Sequence, residues 1–148
     1  MSVTAATTAD TARPADSRLR VHLATAGTVL VSLFIIYVGV SYMAAPGSTA
    51  PGFGFPEWPH GAASAFLRIK GNRDVVTGLA PLLLLLTGHR RALGWVLLAE
   101  SFAPFGDCFT VLAQHGSTAT ALGVHLTAAL FVVGTAALLL TERGTRRD

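Results

Sequence analysis

Four apolar stretches divide this chain. Residues 21–45 are apolar except for His22 and small hydroxyl side chains, and contain no Asp, Glu, Lys or Arg. Residues 73–87 hold the dense run Pro81-Leu82-Leu83-Leu84-Leu85-Leu86, stopped by Gly88-His89-Arg90-Arg91. Residues 93–113 and 119–140 complete the set. At about 1.5 Å per residue each is roughly long enough to cross a hydrocarbon core of about 30 Å, the second being short. A water-soluble four-helix bundle would need a charged outer face, and these segments are apolar almost all round. The pattern predicts an all-α fold, a bundle of four transmembrane helices spanning residues 18–141.

Between the first two spans lies a loop of another kind. Residues 46–60 contain Pro46, Pro51, Pro56 and Pro59, with Phe53, Phe55 and Trp58 between them. Prolines stiffen the path, and aromatic rings suit the headgroup boundary, as a belt or as a lid over a cavity. Residues 62–69 read as a short interfacial helix broken at Gly71-Asn72. The Ala- and Thr-rich residues 1–17 show no apolar period and predict a disordered tail; residues 142–148 form a basic one.

Charge sets the orientation. Eight of the eleven Lys and Arg flank one side: Arg13, Arg18 and Arg20, then Arg90 and Arg91, then Arg143, Arg146 and Arg147. The opposite loop at 114–118 has none. Both termini are therefore expected in the cytoplasm, with the chain multi-pass in the cell membrane. Arg68, Lys70 and Arg73 fall on the wrong side for this rule. The first three arginines resemble a signal-peptide n-region, but the apolar run after them exceeds the usual ~7–15 residues, and the small-residue site Ser48-Thr49-Ala50 is followed by Pro51. The reading is an uncleaved first helix.

Composition narrows the function classes. Half of the chain, 51%, is hydrophobic and 13% is charged, with a mean hydropathy of +0.55; soluble domains carry about 25% charged residues. The basic residues lie in short clusters rather than on a face, so nucleic acid is not an expected partner. The single cysteine, Cys108, excludes an intramolecular disulfide and a cysteine zinc site. No histidines have the i, i+4 spacing of a helical metal pair, and no cofactor motif is visible. The expected partners are the bilayer, a lipophilic small molecule and a second copy of the chain approaching the small positions Gly123, Thr127 and Gly134.

Ionisable groups inside a bilayer cost about 2.5–3.5 kcal/mol each on insertion scales and mark candidate sites. Glu100 and Asp107 lie in the third span, His125 in the fourth, and Arg73 and Asp74 open the second with Lys70 just outside. Counted from the cytoplasmic ends, Arg73 and Asp107 stand roughly 21 Å up and His125 roughly 22 Å up, one shared layer. Arg73 or Lys70 is expected to neutralise Asp107. Glu100 lies lower, at about 10 Å, with no basic residue at its depth, and is expected to stay uncharged, bonded to Thr28 or serving as a proton donor. Candidate catalytic residues are thus Asp107, Glu100, Arg73, His125 and Asp74. Lys70, Trp58, Phe55 and Tyr37 are candidate substrate contacts. Cys108, one residue round from the acidic stripe, is expected to be a buried, inert thiol.

The stretch Lys70-Gly71-Asn72-Arg73-Asp74, followed by Gly78, resembles a K-G-x-R-D-x-x-x-G motif of an uncharacterised family of small four-helix membrane proteins, catalogued as a domain of unknown function. The resemblance covers about residues 25–141. It implies a four-helix membrane fold and no particular activity. Three readings of function stand open. One is an acid–base membrane enzyme of isomerase, cyclase or epoxide-opening type. Another is an accessory subunit whose polar cluster only fixes helix packing, and the third is a proton-coupled transporter acting as a homodimer.

Overall fold

The computed structural model describes residues 13–142, and the readings for the remaining tail residues lie outside it. Every element among the described residues is helical. Helix α1 covers Arg13–Ala44 and α2 is the turn Pro46–Thr49. Two 3-10 turns, Ala50–Phe53 and Gly61–Ser64, bracket the proline-rich loop before α3, Ala65–Leu86. Helices α4 (Arg90–Glu100) and α5 (Phe102–Ala113) form one rod with a break at Ser101. Helix α6 (Thr118–Thr120), a π-helical turn at Ala121–Leu126 and α7 (Thr127–Leu140) form the last.

Three of these rods are long and apolar enough to cross a membrane: Arg18–Ala44, Arg90–Ala113 and Thr118–Leu140. Their outward faces carry large apolar side chains, among them Leu30, Phe34, Phe102, Phe109 and Leu130. Hydroxyls within the rods donate to the carbonyl one turn back, as Thr28 does to Ala24 at 2.8 Å and Thr135 to Phe131 at 2.9 Å. This keeps polar atoms satisfied where water is absent.

Two expectations fail on helix ends. The described part of α1 already includes residues 13–17, and the expected tail before it lies outside the described residues. More telling, Gly71-Asn72 breaks nothing: α3 runs unbroken from Ala65, so the short interfacial helix and the short second span are one element. Gly71 is there for packing. A Cβ on it would lie 2.5 Å from the Gly39 carbonyl oxygen of α1, and one on Gly39 would lie 2.5 Å from the Gly71 oxygen. Further along, a Cβ on Gly78 would lie 2.6 Å from the Ser32 oxygen. Small residues let these two backbones touch, and α1 with α3 is the most extensive helix pair.

The break in the third rod has a different cause. Pro104 has no N–H for the Glu100 carbonyl, and the chain turns at Ser101, whose hydroxyl donates to Leu98 O at 2.7 Å. The main core, Ala24, Leu93, Leu97, Val132, Ala136 and Leu139, joins α1, α4 and α7. A smaller one, Cys108, Val111 and Ala121, sits at the other end under Phe53, Phe55 and Leu126. Gly123 and Gly134 face open space and Thr127 is exposed, so these small residues do not serve contacts within the chain.

The two ends of the bundle are built differently. At one end Arg90 grips Glu142 with two bonds, Nε to Oε2 at 2.6 Å and Nη2 to Oε1 at 2.7 Å, and also donates to Thr25 Oγ1 at 3.0 Å. Arg20 reaches the Thr141 carbonyl at 3.2 Å. This clasp ties the starts of α1 and α4 to the end of α7. The opposite end gathers Lys70, Asp74, Asp107 and His125.

Candidate functional site

Five elements bring side chains together at that opposite end. α1 contributes Tyr42, the 3-10 turn Phe53, α3 Lys70 and Asp74, α5 Asp107, and the π-helical turn His125. Lys70 and Asp74 share a face of α3 one turn apart and pair, Nζ to Oδ2, at 2.6 Å. The same ammonium lies 4.7 Å from the Tyr42 ring centroid and 5.3 Å from that of Phe53. Such cation–π contacts contribute about 0.5–2 kcal/mol, more where water is excluded. Tyr42 is buried, and its hydroxyl lies within electrostatic reach of Asp74 and Asp107.

His125 is the best-defined group of the site. Its Nε2 is 2.8 Å from the Phe53 carbonyl oxygen, and its ring packs tilted by 53° against the Phe53 ring at 4.6 Å between centroids. A carbonyl only accepts, so Nε2 must carry a proton. That leaves Nδ1 facing Asp107 Oδ2 at 4.0 Å, too far for a direct hydrogen bond. The Asp107 side chain is 39% exposed, against 10% for His125. One partner is thus sheltered and tied down, and the other is reachable. Asp107 also lies within electrostatic reach of Lys70 and Asp74.

The π-helical turn explains how His125 arrives there. One wide turn shifts the face that follows, and Thr127 Oγ1 bonds back to Leu122 O at 3.2 Å, five residues away. Isolated π turns are rare and often occur at functional sites.

The predicted layer is therefore half assembled as expected. Asp107, His125, Asp74 and Lys70 converge. Arg73 does not: it is exposed on the far side of α3, between Ile69 and Val76, and forms no ion pair with Asp107. Its depth matched but its face did not, and Lys70 takes the neighbouring place. Tyr37 is 69% exposed and belongs to the outer surface of α1; Tyr42 is the tyrosine of the site. Glu100 is half-buried and does not bond Thr28, whose hydroxyl is used by Ala24 O. Phe55 stacks on Phe53 at 5.1 Å, whereas Trp58 leans on His60 at 5.6 Å, away from the ionisable groups. Cys108 is buried in the smaller core.

Two open depressions lie over the loop at this end. One, of about 430 Å³, is lined by Phe55, Pro56, Glu57, Pro59 and Gln114. The other, of about 540 Å³, runs along Gly54, Phe55 and Pro56 to His115 and Thr120. None of the clustered ionisable groups lines either. Among the described residues, no three His, Cys, Asp or Glu side chains converge as metal ligands.

Helical elements alone among the described residues, three of them membrane-length apolar rods, with a polar cluster at one end, make this a small multi-pass membrane protein. Its family follows from comparison. The model of the family described as a domain of unknown function (DUF4267) matches residues 32–139, and the chain belongs to that family. The matched stretch includes every member of the polar cluster. No curated protein and no solved structure matches the chain.

Proposed function

We propose that this protein is a four-span membrane enzyme that moves a proton on a lipophilic substrate, with Asp107 and His125 as the exchanging pair. The observation that carries this reading is the His125–Phe53 bond. It commits one imidazole nitrogen to a carbonyl and leaves the other beside a reachable carboxyl. Asp107 in its acid form donates a proton to a double bond, carbonyl or epoxide oxygen of the substrate. The carboxylate left behind, or the His125 Nδ1 lone pair, takes a proton from another substrate atom. Lys70, held by Asp74, faces any negative charge that develops. For isomerisation and cyclisation, what is gained at one atom is lost at another and substrate mass is conserved.

Helix α3 is the fourth span in this reading. Its 22 residues reach about 33 Å, and Arg68, Lys70, Arg73 and Asp74 fall in its first half, at the outer headgroup level. The eight-of-eleven bias of basic residues supports an orientation with both termini in the cytoplasm, on the side of the Arg90–Glu142 clasp. A second copy of the chain covers Gly123, Thr127 and Gly134.

The test compares membranes carrying the wild-type chain or Asp107→Asn on a panel of unsaturated and epoxide-bearing lipophiles. General acid–base catalysis contributes about 10²–10⁴-fold. A product of altered retention is expected with the wild type and at least about 10²-fold less of it with Asp107→Asn. Equal turnover by the two would overturn the assignment. One observation favours an accessory subunit instead: the Lys70–Asp74 pair and the His125–Phe53 bond already satisfy much of the cluster within the chain. Wild-type membranes that convert nothing on the panel, with Asp107→Asn lowering thermal stability, would support that alternative.

A further inference from the structure

The Phe53 carbonyl that meets His125 is a backbone group on a loop, so something must aim it. Its neighbour Gly54 is buried and has φ 102°, a left-handed conformation that glycine adopts without strain. The Gly54 carbonyl accepts the Ser117 N–H at 2.8 Å, from the turn joining α5 to α6. That turn is itself tight. Gly116 donates to Val111 O at 2.8 Å, His115 has φ 56°, and a Cβ on Gly116 would press on the Gly54 oxygen. On its other side Gly54 is closed in by Thr120, 2.9 Å from where a Cβ would stand. Gly54 is therefore held from both sides: its carbonyl by Ser117, and its N–H, which shares a peptide with the Phe53 carbonyl, by Pro51 O at 3.3 Å.

We infer that the Gly116-Ser117 turn is a positioning element for His125. By holding the Gly54 carbonyl it fixes the Phe53 carbonyl on Nε2, and this keeps the Nδ1 lone pair toward Asp107. Without that hold, the nearby carboxylate is the best remaining acceptor, and the proton moves to Nδ1. The pair would then offer no basic nitrogen at Asp107. The inference deepens the acid–base reading, but its readout is the position of a proton and needs no turnover.

Ser117 permits a clean test because its φ is −65°, the value proline imposes. Ser117→Pro keeps that φ, removes the N–H that holds Gly54 and puts a ring carbon in its place, so the Gly54 carbonyl must move away. Proline also removes the hydroxyl that accepts Thr120 N at 3.2 Å, and Ser117→Ala removes that hydroxyl alone. The full chain is labelled with ¹⁵N-histidine, and His125 is assigned by the resonance lost in His125→Asn. The wild type and Ser117→Ala are expected to show the pyridine-type nitrogen at Nδ1, and Ser117→Pro to show it shifted to Nε2. Gly116→Ala, which pushes on the same carbonyl, should shift it the same way and serves if the proline variant fails to fold. An unchanged tautomer in a folded Ser117→Pro or Gly116→Ala protein would overturn the inference. So would an equal shift in Ser117→Ala, which would assign the effect to the helix cap.

Discussion

Gly71→Ala is expected to destabilise the bundle by about 3 kcal/mol, the upper end of the usual range for overpacking. Alanine is the better helix former by about 1 kcal/mol, so the sign depends on space alone. Here the added methyl would meet backbone, the Gly39 oxygen at 2.5 Å, together with Tyr42 Cβ at 2.9 Å. Neither can rotate away, so α1 and α3 must part. Gly106→Ala is the matched control, since a Cβ there meets nothing within 4 Å and should cost nothing. Denaturant unfolding in detergent reads both. Equal stability of the two variants would mean that α1 and α3 do not touch at Gly71.

The second large effect lies at the opposite end. Arg90→Met strands the Glu142 carboxylate, whose side chain is 13% exposed, and Glu142→Gln leaves Arg90 without its bidentate partner. Breaking a fully buried pair costs about 3–5 kcal/mol, and partial exposure of both groups lowers this to about 2 kcal/mol for each single variant. The double variant should lose clearly less than the sum, because neither charge is then stranded. Thermal unfolding of the four proteins checks this, and additive losses would show that the clasp contributes nothing as a pair.

What the chain reveals before folding follows from the kind of physics involved. The apolar stretches and the aromatic loop are visible because lipid tolerates few alternatives over twenty residues. Asp107 and His125 could be matched by depth, since helical rise is fixed and a displaced count moves both together. Depth says nothing about face, and this is where Arg73 was misplaced. It lies three positions on from Lys70, and that rotation takes it from the cluster to the outer surface. The same blindness put Tyr37 in place of Tyr42. Gly71-Asn72 reads as a break because glycine and asparagine weaken an isolated helix, whereas in the bundle the missing side chain lets Gly39 approach. The partner of His125 could not be read at all. It is the Phe53 carbonyl, a group every residue carries, brought near by a turn more than sixty positions away. Nor does any residue pattern announce the π-helical turn that delivers His125.

The central claim is that Asp107, with His125 beside it, passes a proton between solvent and substrate. Because the Asp107 side chain is 39% exposed, its proton exchanges with the surroundings. Where protonation falls on carbon, product formed by wild-type membranes in heavy water should therefore carry deuterium on that atom, and Asp107→Asn membranes should yield at least about 10²-fold less of that product. A product formed in heavy water by the wild type without deuterium at that atom would contradict the account.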